Sequence, residues 1–246
     1  MIKSEILLAF HEVFGIPEDR PGFAQVFGVG AGFAFGEPPY RYHVPEPLRS
    51  VLLEREPGRA ASYESWGTEQ VEKALLFGPG SELASESQKV LEKYQFGERY
   101  ATGERELAGR LAQERVGPEL FANVMSATEM VDILGPLNEV ASGLRINLNE
   151  LLMDKTFDGR KFLEHIPSRV VARCLRSARH RNRQIKWKAN DLQDVGGLAF
   201  AVPYCDVVCT EKSWVHHAVA ARLDSRFSTQ LVSDTSELAS IIAAAA

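Results

Sequence analysis

Cysteine is scarce in this chain of 246 residues. Cys174, Cys205 and Cys209 form an odd set with no CxxC pair, which excludes a disulfide framework and a zinc ribbon. Long apolar runs are missing too. No stretch approaches the roughly 20 apolar residues that a membrane-spanning helix needs. The longest candidate, Val195 to Cys209, is interrupted by Pro203 and Asp206. The N-terminus lacks the apolar core and small-residue cleavage site of a secretion signal, so a reducing cytoplasm is the expected compartment. There is no HExxH, and His216 and His217 are adjacent on an expected helix, pointing in different directions. No Ser or Cys sits in a nucleophile elbow. Gly28-Val29-Gly30-Ala31-Gly32 looks like a dinucleotide loop, but Phe33 stands at the third glycine position. Pro38-Pro39 then follow where a helix should begin, which favours a packed loop.

What is present is ordinary for a globular protein: 45% hydrophobic and 25% charged residues. A chain of this length buries a sizeable core without staples. The net charge is −5, so the whole molecule is no generic polyanion binder. Its distribution is uneven. Arg169, Arg173, Arg176, Arg179, Arg181, Arg183, Lys186 and Lys188 lie between Pro167 and Asn190 with no acid among them. That segment carries +8, leaving −5 − 8 = −13 for the rest. Such asymmetry fits a local anionic partner.

Periodicity and breakers predict mainly helices over residues 1–165. Ile2, Ile6, Ala9, Phe10 and Val13 recur at helical spacing, and Gly15 and Pro17 end that helix. Residues 16–47 read as loop, 48–55 as a short helix and 62–77 as another. Ser81 is a candidate N-cap. Residues 82–115 are helical in propensity with interruptions near Gly97 and Gly103. Pro118 opens an apolar helix to about Leu134, and 136–165 hold one or two short helices.

Residues 166–246 differ. Pro167 starts a helix with Val171, Cys174, Leu175 and Ala178 on one face, and Arg169, Arg173, Arg176 and His180 on another. Asn190 caps a helix over 191–202. Val207-Val208-Cys209 suits a buried strand, 212–223 a helix, 229–232 a second strand and 236–246 a final helix. Alternating helices and strands predict a parallel α/β arrangement.

Asp191 and Asp194 share one helical face and its first turn. Glu211 follows the strand at its carboxyl end, the edge where open parallel sheets bind ligands. Convergence of the three acids would suit Mg²⁺ or Mn²⁺, hard cations that take oxygen ligands. The alternative is a cap and a solvent-facing first-turn acid. Asp206, roughly 16 Å away along the strand, reads as a turn or capping residue.

These residues carry a resemblance. The segment 167–233, about a quarter of the chain, resembles the C-terminal half of PIN-like nuclease domains. Asp194 precedes Thr210 by 16 positions, and Glu211 stands where that family has a further acid. Asn190-Asp191-Leu192-x-Asp194 and Pro203-Tyr204-Cys205-Asp206 look like an uncharacterised bacterial branch with a long helical insertion. Val26-Phe27-Gly28-Val29-Gly30 is similar to that insertion. The resemblance implies a flavodoxin-like α/β/α fold, a three-layer parallel sheet in 166–246 behind a helical region in 1–165. It implies a metal-dependent endoribonuclease, toxin-like, with Asp194, Asp191 and Glu211 holding Mg²⁺ or Mn²⁺ and Thr210 orienting a ligand or water. Its expected partners are RNA, an antitoxin-like protein and a second copy of the chain, with no membrane.

The family's opening strand ending in Asp has no counterpart before Asp19. Glu5 and Glu12 are the substitutes on offer, so nuclease activity is expected to be weak or absent. The alternative function is an inactive PIN-like module binding RNA or a protein. For the basic run, one reading is an RNA-backbone track from Arg169 to Lys188 with Trp187 stacking on a base. The other is a solvated helix face with Trp187 in the core.

Overall fold

The computed structural model describes residues 1–16, 46–55, 62–67, 95–182 and 186–245. The chain divides into two units: Met1 with Asp19–Tyr94, and Ile2–Glu18 with Gln95–Ala246. In the first unit the described residues are helical, with helix α2 over Glu46–Arg55 and a further turn over 62–67. The glycine loop at 28–32, the segment Val26–Gly30 and the Ser81 cap lie outside the described residues, as does Arg183.

The second unit is built mainly of helices: α1 (Ile2–Phe14), α3 (Phe96–Gln113), α4 (Pro118–Asp132), α5 (Leu134–Gly143), α6 (Leu148–Met153), α7 (Gly159–Glu164), α8 (Pro167–Arg181) and α9 (Asp191–Tyr204). Strand β1 (Val207–Cys209), α10 (Lys212–Ala220), α11 (Leu223–Phe227), β2 (Gln230–Val232) and α12 (Thr235–Ala245) complete it. Residues 95–165 and 166–246 therefore belong to one unit.

The expectation of a PIN-like three-layer parallel sheet is overturned. Among the described residues the sheet has two strands of three residues each, paired in parallel with Val208 opposite Leu231. Two further bonds, from the Gln230 N–H to the Asp206 carbonyl and from the Thr210 N–H to the Val232 carbonyl, extend that ladder by a residue at each end. The physical reason lies in the sequence pattern. The apolar runs around 208 and 231 are short, and the segments before them carry the 3.6-residue period of amphipathic helices rather than more buried strands. Alternating helices and strands at the C-terminal end yield one parallel pair, with α12 packed on both strands.

Two clusters form the interior. Ile6, Phe10, Ile133, Leu137, Phe162 and Leu163 gather α1, α5 and α7 around stacked and edge-on phenylalanines. Val171, Leu175, Leu198, Val202, Trp187 and Trp214 gather α8, α9 and α10. Helices α8 and α9 pack against each other more extensively than any other pair. Glu5 ties α1 to both: its fully buried carboxylate accepts the Ser168 N–H (3.3 Å) and hydroxyl at the start of α8, and the Tyr204 hydroxyl at the end of α9. A carboxylate suits that position because the first N–H groups of α8 have no helical partner and the dipole's positive end is there.

Several boundaries differ from the pattern reading. Helix α9 runs through Pro203 to Tyr204, and the side chain of Asn190 makes no cap. The helix expected over 212–223 is divided at Ala221–Arg222, with Arg222 in the left-handed region (φ 56°). Helix α3 runs unbroken through Gly97 and Gly103. Gly97 is a contact point, not a break: a Cβ there would sit 2.6 Å from the Ala189 carbonyl oxygen.

The two glycines make a paired prediction. Gly103→Ala meets nothing within 4 Å and should stabilise the fold by about 0.5–1 kcal/mol through helix propensity alone. Gly97→Ala gains the same propensity but collides with backbone, so it should be net destabilising by about 1–2 kcal/mol. Urea unfolding of both variants checks the opposite signs; a stabilised Gly97→Ala would remove the contact from the argument.

Candidate functional site

Helix α8 is buried on two sides. Val171 and Leu175 face the apolar cluster as the pattern predicts. The basic face does not meet solvent. Arg176 is 4% exposed and is gripped by three acids from earlier helices: Glu129 at 2.7 Å, Asp132 at 2.8 Å and Glu104. His180 Nε2 lies 2.6 Å from the second oxygen of Glu104. Arg169 reaches Glu129 at 3.5 Å, and Arg173 pairs with Glu164, which also accepts Arg226 at 2.9 Å. The Arg176 guanidinium also lies over the Tyr100 ring, 5.7 Å from its centroid.

The acids respond to this setting in different directions. Burial would push the Glu104 carboxyl up, but the His180 hydrogen bond and the Arg176 charge outweigh it and hold Glu104 below the ordinary glutamate value. For Glu129, burial wins over Arg176 and Arg169, and its carboxyl is pushed up.

The C-terminal end of α8 is fixed by Asp191. Both carboxylate oxygens accept from Arg179 Nη2, at 2.8 and 2.7 Å, and Oδ2 also accepts the Lys188 N–H at 2.7 Å. Arg179 lies over Trp187 and Trp214, 5.6 and 5.1 Å from the centroids. Trp214 in turn donates its indole N–H to Asp194 at 3.1 Å. This buried unit welds α8, α9 and α10 at one end.

The expected metal set looks different in this light. Asp191 is 4% exposed, and both its oxygens serve Arg179. Asp194 holds Trp214. Glu211 is the exposed residue before α10, making no side-chain cap, and Thr210 joins the strand ladder through its backbone. Among the described residues no group of three or more His, Cys, Asp or Glu side chains is placed to hold a metal ion. The donor set therefore does not fit Mg²⁺ or Mn²⁺: a carboxylate already neutralised by a buried guanidinium is a poor ligand, and its release would strand that charge. Glu5 and Glu12 are no substitutes, since Glu5 caps α8 and Glu12 lies 2.7 Å from His165 Nδ1.

The basic run divides just as plainly. Arg169, Arg176 and Arg179 are committed to internal acids, Arg173 pairs with the exposed Glu164 where it also lines a cleft, and Trp187 is core. Arg181, Lys186 and Lys188 are exposed and have no ion pair among the described residues. Arg181 projects from the end of α8 over the Phe121 ring, 5.3 Å from its centroid.

Beside it opens a cleft of about 700 Å³ between α4, α8 and α10. Five basic side chains line it: Arg160, Arg173, Arg181, His216 and His217; no acid among the described residues does. Small residues such as Ala122, Ser177, Ala178 and Ala220 give it depth. Arg160 and Arg181 have no acidic partner among the described residues, so their charge is available. His217 is 8% exposed, its Nε2 is buried without a hydrogen-bond partner among the described residues, and burial together with Arg179 and His216 pushes its imidazole down. Cys174 also lines the cleft, but burial pushes its thiol up, away from the thiolate a nucleophile needs. Sequence reasoning missed Arg160 and the two histidines as partners of Arg181. They come from three separate helices, and no local spacing joins them.

The Arg176 network supplies a stability prediction. Arg176→Met keeps much of the side-chain volume but leaves Glu104 and Glu129 buried without their cation, so unfolding at pH 7 should cost about 3–5 kcal/mol less than in the parent. A loss under about 1 kcal/mol would refute the network's role. Because Glu104 is held low in the folded chain, its contribution is complete above the ordinary value of 4.5 and vanishes as pH falls through its folded value. Glu104→Gln should therefore flatten the acid limb of the stability curve below pH 4.5.

No described helix is long and apolar enough to cross a membrane. No family model, curated protein or solved structure matches this chain, so its residues and their geometry carry the functional reading.

Proposed function

We propose that the second unit is an RNA-binding module that holds backbone phosphate in the cleft between α4, α8 and α10. The observation that carries this reading is the lining: three arginines and two histidines with no acid among the described residues, in a chain whose net charge is −5. Acids are abundant here and pair most of the neighbouring arginines, so a pocket without one is a local choice of sign. Its volume falls in the range of ligand clefts, roughly 300–1,000 Å³. Arginine suits phosphate because its planar donors match two oxygens at once. The RNA expectation of the basic run thus moves from Arg169, Arg176 and Arg179, which are spent inside, to Arg160, Arg173 and Arg181, with Lys186 and Lys188 exposed beyond α8.

The role offered by the module is binding. Cys174 is held as a thiol, Asp191 and Asp194 are engaged by Arg179 and Trp214, and Glu211 stands apart from them as an exposed residue before α10.

The test is anisotropy of a fluorescent 12-nucleotide single-stranded RNA titrated with the full chain between 50 and 200 mM NaCl. Arg160→Ala/Arg181→Ala should weaken binding at least about tenfold. It should also reduce the log–log salt slope by about 1.4, since each phosphate contact on a single strand contributes about 0.7. Absence of binding at 50 mM salt, or a double variant that matches the parent, would refute the reading.

A further inference from the structure

A second cleft, of about 600 Å³, lies on the other side of the C-terminal end of α8. It opens between α3, α4 and that end. It adds an apolar wall to the charge. Leu111, Val116 and Phe121 form that wall, Ala108, Gly109 and Ala112 of α3 leave the space, and Arg179, His180 and Arg181 line it as well. Among the described residues no acid lines it. Arg181 and Asn182 belong to both clefts and form the ridge between them. The Arg181 guanidinium sits on that ridge against the Phe121 ring, so its charge serves one side and its planar face the other.

We infer that the ligand is a nucleoside phosphate unit that straddles this ridge, with its phosphate in the basic cleft and its base in the apolar cleft beside Phe121. The inference rests on the RNA-binding reading above and names what that site recognises beyond charge. A purely anionic ligand leaves the Leu111, Val116 and Phe121 wall of the second cleft unused. A purely apolar one has no use for the first. A nucleotide joins a charged end to a flat, stackable end across a short sugar, and the ridge is one residue pair wide. The base, rather than an acyl chain, is favoured by the planar groups that reach the cleft: the Phe121 ring and the Arg181 guanidinium beside it. Purely stacking recognition carries little sequence preference, because every base has a π-face.

The experiment compares AMP, ribose 5-phosphate and a short-chain lysophosphatidate, each titrated into the full chain by calorimetry. The parent should bind AMP at least about tenfold more tightly than ribose 5-phosphate, as stacking on aromatic and guanidinium faces provides. Gly109→Leu fills the cleft from a helical position where an added Cβ meets nothing within 4 Å. It should bring AMP down to the ribose 5-phosphate level and leave ribose 5-phosphate unchanged. Its thermal melt should match or exceed the parent's, since leucine is the better helix former. Phe121→Ala should act in the same direction by several-fold. Equal affinity for AMP and ribose 5-phosphate, or AMP binding untouched by Gly109→Leu, overturns the inference while the phosphate cleft stands. Tighter binding of lysophosphatidate than AMP overturns it in favour of a lipid phosphate. Failure of both AMP and ribose 5-phosphate to bind removes the cleft and the inference together.

Discussion

The buried guanidinium of Arg176 is the constraint on which the second unit depends. A cation in the interior is tolerated only where acids and hydrogen bonds replace its water. Here Glu104 comes from α3 and Glu129 and Asp132 from α4, so charge neutrality is possible only when both helices lie against α8 in one register. Burial alone would favour losing the proton from Arg176; the surrounding acids more than offset this and hold it charged. Such an arrangement gains little over a well-packed apolar core. It is unforgiving of misplacement, because removing one partner strands the others. The polar network thus selects one packing of α3, α4 and α8, while the apolar clusters supply the bulk of the driving force.

The same pairing decides where function resides. Of the cations along α8, those in the first three turns face the interior and are answered by acids. Arg179 is answered by Asp191 and sandwiched near two tryptophans. Two residues later, past His180 and its Glu104 partner, Arg181 stands at the edge, with a cleft to either side. Asp191 holds the end of α8 through Arg179, and Asp194 holds α10 through Trp214.

Some of this was legible in the sequence and some was not, for definite reasons. The 3.6-residue spacing of Ile2, Ile6, Phe10 gave α1 correctly, and Pro118 and Pro167 marked the starts of α4 and α8 because proline fits a first turn. Both strands were found, the first from the β-branched pair Val207-Val208 and the second over 229–232, within a residue of their limits. The architecture around them was not, because two short strands of one parallel pair carry the same local pattern as the edge of a larger sheet. The basic face of α8 failed for another reason. Periodicity shows that Arg169, Arg173, Arg176 and His180 share a side, and says nothing of the acids 9 to 76 positions earlier that answer that side. Gly97 was read as a break because glycine weakens helices; its true constraint, the Ala189 carbonyl 92 residues on, is non-local.

The charge asymmetry was informative, but through its complement. A segment of +8 beside a remainder of −13 was read as a surface for an anion. Four of the eight cations, Arg169, Arg173, Arg176 and Arg179, are answered by acids within the unit: that part of the asymmetry is the mark of one helix neutralised by its neighbours. What distinguishes a binding cation from a structural one here is whether an acid is within reach once the chain is folded. By that criterion Arg160 and Arg181 qualify and Arg169, Arg176 and Arg179 do not. Folding has thus removed half of the apparent binding cations and left Arg181, Lys186 and Lys188 exposed at and beyond one helix end. There the helix dipole is negative and three basic residues close the last turn, so the positive charge of Arg181 is favoured where it stands.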